Sequence, residues 1–133
     1  MNRPIIGFAG LTHLGINSAI ASAARGFSVV GYHNDTQLVA LLNSGKPQVL
    51  EPQLPELMEK HRDSLSFSSD LNCLASCDIV YIAVDVPTDD NGKSDLKPIE
   101  EMIDRASTAM RQDALLVVLC QVAPGFTRTL KWP

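Results

Sequence analysis

The stretch Pro4-Ile5-Ile6-Gly7-Phe8-Ala9-Gly10-Leu11-Thr12-His13-Leu14-Gly15 constrains the fold of this chain more than any other. A short apolar run meets a tight glycine turn, which opens into small residues and helix formers from Ile16 to Arg25. The pattern predicts strand, turn and helix, the first unit of a parallel α/β domain. Such a turn gathers backbone N–H groups and the positive end of a helix dipole at one point, a combination that favours a phosphate. A nucleotide bound by this chain is expected at that turn.

The alternation continues along the sequence. The first helix is expected over Ile16 to Arg25, stopped by Gly26. Ser28-Val29-Val30-Gly31-Tyr32 reads as a second buried strand. Thr36 is the expected N-cap of a helix through Leu38, Leu41 and Leu42, ended by Asn43-Ser44-Gly45. A loop with two prolines leads to a helix from Leu54 to His61, with Pro55 in its first turn. Leu65-Ser66-Phe67-Ser68 alternates as a short strand, and Asp70 caps a brief helix over Leu71 to Ser76. Asp78 to Val84 is the clearest buried strand, followed by a polar loop that turns at Asp90-Asn91-Gly92. Pro98 marks a helix start, and Ile99, Met102, Ile103 and Ala106 share a core face. Ala114 to Leu119 is a fifth strand, and a tail from Cys120 is broken by Pro124 and Gly125. Strands alternating with helices require a doubly wound parallel sheet with right-handed crossovers. The expected strand order is 3-2-1-4-5, with helices on both faces, in one domain over 1–133.

A length of 133 residues suits one domain, and 45% hydrophobic residues can fill its core. The formal charge of −4 argues against a nucleic-acid partner, which asks for a basic face. No apolar run approaches the roughly 20 residues of a membrane span. The start Met1-Asn2-Arg3 lacks the apolar core of a signal peptide, so the cytoplasm is expected. Three cysteines, Cys73, Cys77 and Cys120, fit a reduced compartment. Cys73 and Cys77 lie four apart, on one face of a helix, and a metal reading lacks two further ligands nearby; packing is the expectation. The acidic residues Asp85, Asp89, Asp90 and Asp95 lack the alternating spacing and terminal glutamate of a calcium loop, and read as a solvated turn.

Three further segments fall in register with the glycine turn. They are Glu51-Pro52-Gln53-Leu54, Val84-Asp85-Val86-Pro87-Thr88 with Gly92 to Leu96, and Cys120-Gln121-Val122-Ala123-Pro124-Gly125-Phe126-Thr127. Together they resemble the E-P-x-L, V-x-T-P-T…G-x-x-D-L and S-T-V-P-x-G-T-T segments of the UDP-glucose/GDP-mannose dehydrogenase family, in its N-terminal Rossmann domain. The resemblance implies NAD as cofactor and oxidation of a nucleotide sugar's C6 hydroxyl to a carboxylate in two hydride transfers. In that family the nucleophilic cysteine, a lysine and the sugar pocket lie mostly in later domains. Cys120 takes the place of the serine after strand five, not that of the nucleophile. The resemblance therefore implies a truncated piece that does not turn over alone and meets a nucleotide sugar only in a longer context. A rival reading is a non-catalytic Rossmann module acting by self-association, with a second copy as partner. A flavodoxin-like signalling domain would want acidic residues after strand one, where this chain has none.

The register places Gly10 and Gly15 at the first and third glycine positions, with Thr12 at the second. The second glycine normally lets backbone approach the pyrophosphate. Thr12 either crowds that contact or offers its hydroxyl to a phosphate oxygen. Leu14 and His13 share the turn, and His13 either faces the site or packs at the surface. His33 stands 23 residues after Gly10, where a ribose-binding acid belongs. A neutral imidazole offers one acceptor; a protonated one favours a 2′-phosphate and hence NADP. Asp35 either replaces the missing acid or caps the next helix. By the resemblance, Val84, Val86, Pro87 and Gln121 wall the nicotinamide side, with Val86 and Gln121 standing where the family has threonine. Each hydrogen bond forfeited by such replacements is worth about 1 kcal/mol, so several together would weaken cofactor binding.

Overall fold

The computed structural model describes residues 3–46, 53–85, 95–120, 122 and 124–130. Five strands, β1 (Ile5–Ala9), β2 (Ser28–Tyr32), β3 (Leu65–Ser68), β4 (Ile79–Ile82) and β5 (Leu115–Val118), pair in parallel in the order β3-β2-β1-β4-β5. This is the order expected from the alternation. The helices are α1 (His13–Ala24), α2 (Thr36–Asn43), α3 (Leu54–Lys60) and α4 (Lys97–Ala109). Strand β1 is central, with Ile5 to Ala9 beside Ser28 to Tyr32 and Ile6 to Ala9 beside Ile79 to Ile82.

Side chains on successive strand residues point to opposite faces, so each inner strand feeds two cores. Ile6, Phe8 and Val29 pack with Ile16 and Ile20 of α1, Val39 and Leu42 of α2, and Leu54 and Met58 of α3. Ala9, Tyr32, Val80 and Ile82 pack on the other side with Ile99, Ile103 and Ala106 of α4. Both faces are thus covered, which is why these strands read as β-branched and apolar runs rather than as alternating ones. Phe8 and Tyr81 stack with ring centroids 5.2 Å apart and tie β1 to β4.

Four local expectations are corrected. Helix α1 begins at His13, three residues before Ile16, with Thr12 at its N-cap. Asp35, not Thr36, caps α2. The segment Leu71–Ser76 is a 3-10 helix, so Cys73 and Cys77 do not share an α-helical face. Cys77 is fully buried at its end, Cys73 is half-buried, and burial pushes both thiols up to about 11. The tail contains a 3-10 turn, Phe126–Thr129, begun by Gly125 at φ 88° and burying Phe126. Among the described residues, no helix is long and apolar enough to cross a membrane.

Candidate dinucleotide-binding site

The site begins where β1 ends. Gly10 takes φ 110°, a left-handed conformation open to glycine at little cost. Its N–H donates to the Tyr32 carbonyl at 2.9 Å, and the Ala83 N–H donates to the Ala9 carbonyl at 2.9 Å. The turn is therefore clamped between the carboxyl ends of β2 and β4, and a Cβ on Gly10 would stand 2.8 Å from the Ala83 oxygen. Gly15, one turn along, lies buried against the Gly10 carbonyl, which a side chain there would overlap. The two glycines thus bring α1 down onto the strand end.

The first intrahelical bond of α1 runs from the Ile16 N–H to the Thr12 carbonyl at 2.9 Å. The N–H groups of Leu14 and Gly15 lie ahead of that bond, at the positive end of the helix dipole. Thr12 has the extended backbone of an N-cap, φ −81° and ψ −164°, yet its side chain does not cap the helix. Its hydroxyl donates instead to Asp85 Oδ1 at 2.9 Å. The Thr12 hydroxyl proton is thus engaged by Asp85 rather than by the helix end. His13 and Leu14 are exposed on the first turn of α1.

At the end of β2, the His33 N–H donates to the Ser68 carbonyl at 3.2 Å. The His33 Nδ1 accepts from the Asp35 N–H at 3.1 Å. In the neutral ring Nε2 is then the protonated nitrogen, a donor where the family's acid offers acceptors. Burial lowers the His33 pKa, outweighing the upward pull of Asp35 and Asp85. The protonated, phosphate-favouring form is therefore disfavoured. Asp35 Oδ1 accepts from the N–H groups of Gln37 at 3.0 Å and Leu38 at 3.2 Å, so capping is the role it displays.

A cleft at this edge of the sheet is lined by Gly10, Thr12, His33, Val84, Pro98 and Arg105 among others. The structure thus brings Gly10, Thr12, His33 and Val84 together around one cleft. Arg105 was not foreseen. Its Nη2 donates to the buried Tyr32 hydroxyl at 2.7 Å, and its guanidinium sits over the Tyr32 ring, 5.8 Å from the centroid. The two residues are 73 apart, and no local pattern signals the pair. The Cys120 thiol donates to the Ile82 carbonyl at 3.1 Å, and burial raises its pKa, as suits a packed strand-end thiol. Val86, Pro87 and Gln121 lie outside the described residues, as do Asp89 and Asp90. Among the described residues, no three His, Cys, Asp or Glu side chains are grouped to hold a metal.

Residues 5–132 match the NAD binding domain of the UDP-glucose/GDP-mannose dehydrogenase family. The chain belongs to that family. Among its relatives, the GDP-mannose 6-dehydrogenase of Pseudomonas aeruginosa is 30% identical over 134 residues, covering 96% of this chain and 31% of the relative. The UDP-glucose 6-dehydrogenase of Rickettsia typhi is 29% identical over 123 residues, covering 90% of this chain and 28% of the relative. A crystal structure of a ternary complex of the Pseudomonas aeruginosa GDP-mannose dehydrogenase superposes with a TM-score of 0.86 at 30% identity, over 93% of this chain and 30% of that one. The chain thus spans less than a third of these dehydrogenases. What it shares with them is the NAD(H)-binding Rossmann domain.

Proposed function

We propose that this domain binds NAD(H) for the oxidation of a nucleotide sugar at its C6 hydroxyl, within an assembly whose catalytic groups lie outside these 133 residues. The observation that carries the reading is the glycine turn. Gly10 and Gly15 seat the N-terminus of α1 at the carboxyl edge of β1, beside β4, where a doubly wound sheet takes its ligand. The residues present fit a dinucleotide: the α1 amides would hold the diphosphate, His33 would face the adenosine ribose, and Val84 would flank the nicotinamide side. Bound NAD would supply the hydride acceptor, and the chain's own part is binding and orientation.

NAD is favoured over NADP. A neutral His33 beside Asp35 and Asp85 offers no charge to a 2′-phosphate, Glu101 adds a further acid to the cleft, and the one arginine lining it among the described residues, Arg105, is engaged by the Tyr32 hydroxyl. Isothermal titration with each cofactor tests this. Saturable NAD binding with weaker NADP binding is expected. Failure of both to bind at millimolar concentration would remove the cofactor claim for this chain.

A further inference from the structure

We propose that Asp85 is a positioning residue: by holding the Thr12 hydroxyl it keeps α1 uncapped, leaving the Leu14 and Gly15 amides available to a diphosphate. The proposal rests on the dinucleotide reading above and assigns a role to a contact which that reading does not use.

A threonine at an N-cap ordinarily accepts from the amide two or three residues on, here Leu14 or Gly15. This chain uses such caps elsewhere. Asp35 accepts from Gln37 and Leu38 at the start of α2, and Asp70 accepts from Asn72 at the start of the 3-10 helix Leu71–Ser76. Helix α1, which starts at the cleft, shares their extended N-cap backbone and carries a cap-forming residue there, yet like α3 and α4 it has no side-chain cap. The difference is Asp85. It follows Val84 just beyond β4, and β4 pairs with β1 up to Ala9 and Ile82, so its carboxylate comes within 2.9 Å of the Thr12 hydroxyl. A bond to an ionised acceptor is stronger than one between neutral groups. It therefore holds the Thr12 rotamer away from the helix end.

Where the family's second glycine leaves the helix end bare by having no side chain, this chain carries a threonine and a carboxylate that turns it aside. The arrangement has an opposing effect. Asp85 is a negative charge near the expected diphosphate, and its repulsion weakens binding, less so as salt rises. The two effects carry opposite signs and separate in variants. Asp85→Ala removes both the acceptor and the charge. Asp85→Asn keeps an acceptor oxygen and removes the charge. Thr12→Gly removes the side chain that must be held.

The test combines amide hydrogen exchange at Leu14 and Gly15 with NAD titration of the whole chain. In Asp85→Ala, Thr12 swings onto the helix end; exchange slows at Leu14 or Gly15, and the Kd for NAD rises about tenfold, the scale of one competing hydrogen bond. Asp85→Asn binds at least as tightly as the parent. In the double variant Thr12→Gly/Asp85→Ala exchange is fast again and affinity recovers. Unchanged exchange at both amides in Asp85→Ala would overturn the proposal. So would a tightening of NAD binding by Asp85→Ala equal to that by Asp85→Asn, which is what charge alone produces. A parent chain that binds no NAD sinks the dinucleotide reading, and the exchange comparison still decides whether Asp85 holds the cap open.

Discussion

The carbonyl of Gly10 occupies the space into which a Cβ on Gly15 would project, with its carbon 2.9 Å from that point. The obstacle is backbone held by β2 and β4, so it does not yield as a side-chain tip would. Gly15→Ala must therefore push α1 off the sheet. The expected cost is about 3 kcal/mol, the upper part of the usual range for overpacking. A urea unfolding midpoint equal to that of the parent would contradict the geometry.

Exchanging His33 for Asp should sharpen cofactor choice. A carboxylate at the end of β2 accepts both ribose hydroxyls, where the present ring offers an N–H. Hydrogen bonds to a charged group are worth roughly 1.5–3 kcal/mol. NAD affinity is expected to rise at least about tenfold, while NADP affinity falls because the new charge repels the 2′-phosphate. Titrations of His33→Asp with both cofactors measure the two changes, and a parallel gain for NADP would contradict the assignment.

Gly7 and Cys77 form a coupled pair across the second core. A Cβ on Gly7 would stand 2.7 Å from the Cys77 Sγ, and Leu74 and Val80 close the space around it. Gly7→Ala is expected to destabilise the domain by about 1–3 kcal/mol. Removing the sulfur gives the methyl room, so Gly7→Ala/Cys77→Ala should be less destabilised than the sum of the single changes. Additive unfolding free energies in that cycle would show that the contact does not set the packing.

Stability in acid should depend on Asp78. Its Oδ2 accepts from the Ile5 N–H at 2.7 Å and its Oδ1 from Arg111 Nη2 at 2.6 Å. The backbone bond from Ile5 and then the bond from Arg111 hold its carboxyl below the usual range. The folded pKa is depressed, so the contribution is fully present above the unfolded value of about 3.9. It is lost as pH falls through the folded value. Asp78→Asn should flatten the acid limb of the stability curve below about pH 4. Urea midpoints across that range decide the point, and parallel curves for the two proteins would rule it out.

Strand identity was legible because residues 29–32 and Ile79–Ile82 are buried or partly buried on both faces, which favours apolar residues on both. Alternation with helices and the hand of the crossovers then narrowed the strand order to the few that a doubly wound sheet allows. Local ends were less legible. Asp35 and Thr36 are both cap-formers, and the path of the chain after β2 chooses between them. Pro124 and Gly125 read as breakers, although Gly125 starts the turn that buries Phe126. In the site, the glycine turn was legible because its geometry demands a residue type. The bonds from Thr12 to Asp85 and from Arg105 to Tyr32 each join residues 73 apart. No periodicity or spacing rule reaches across such a distance, so the first contact emerges only once β1 and β4 stand side by side and the second once α4 packs over β2.

The central place of β1 also sets an order of events in synthesis. One of its edges can pair as soon as β2, a few residues after α1, has left the ribosome. The other waits for β4, since Ile5 and Asp78, bonded at the start of the two strands, are 73 residues apart. Closing so long a gap is slow, and until it closes the innermost strand of the finished sheet is an open edge. A translational pause before Asp78 would lengthen that exposure and give chaperones, or a neighbouring nascent chain, time to bind there first.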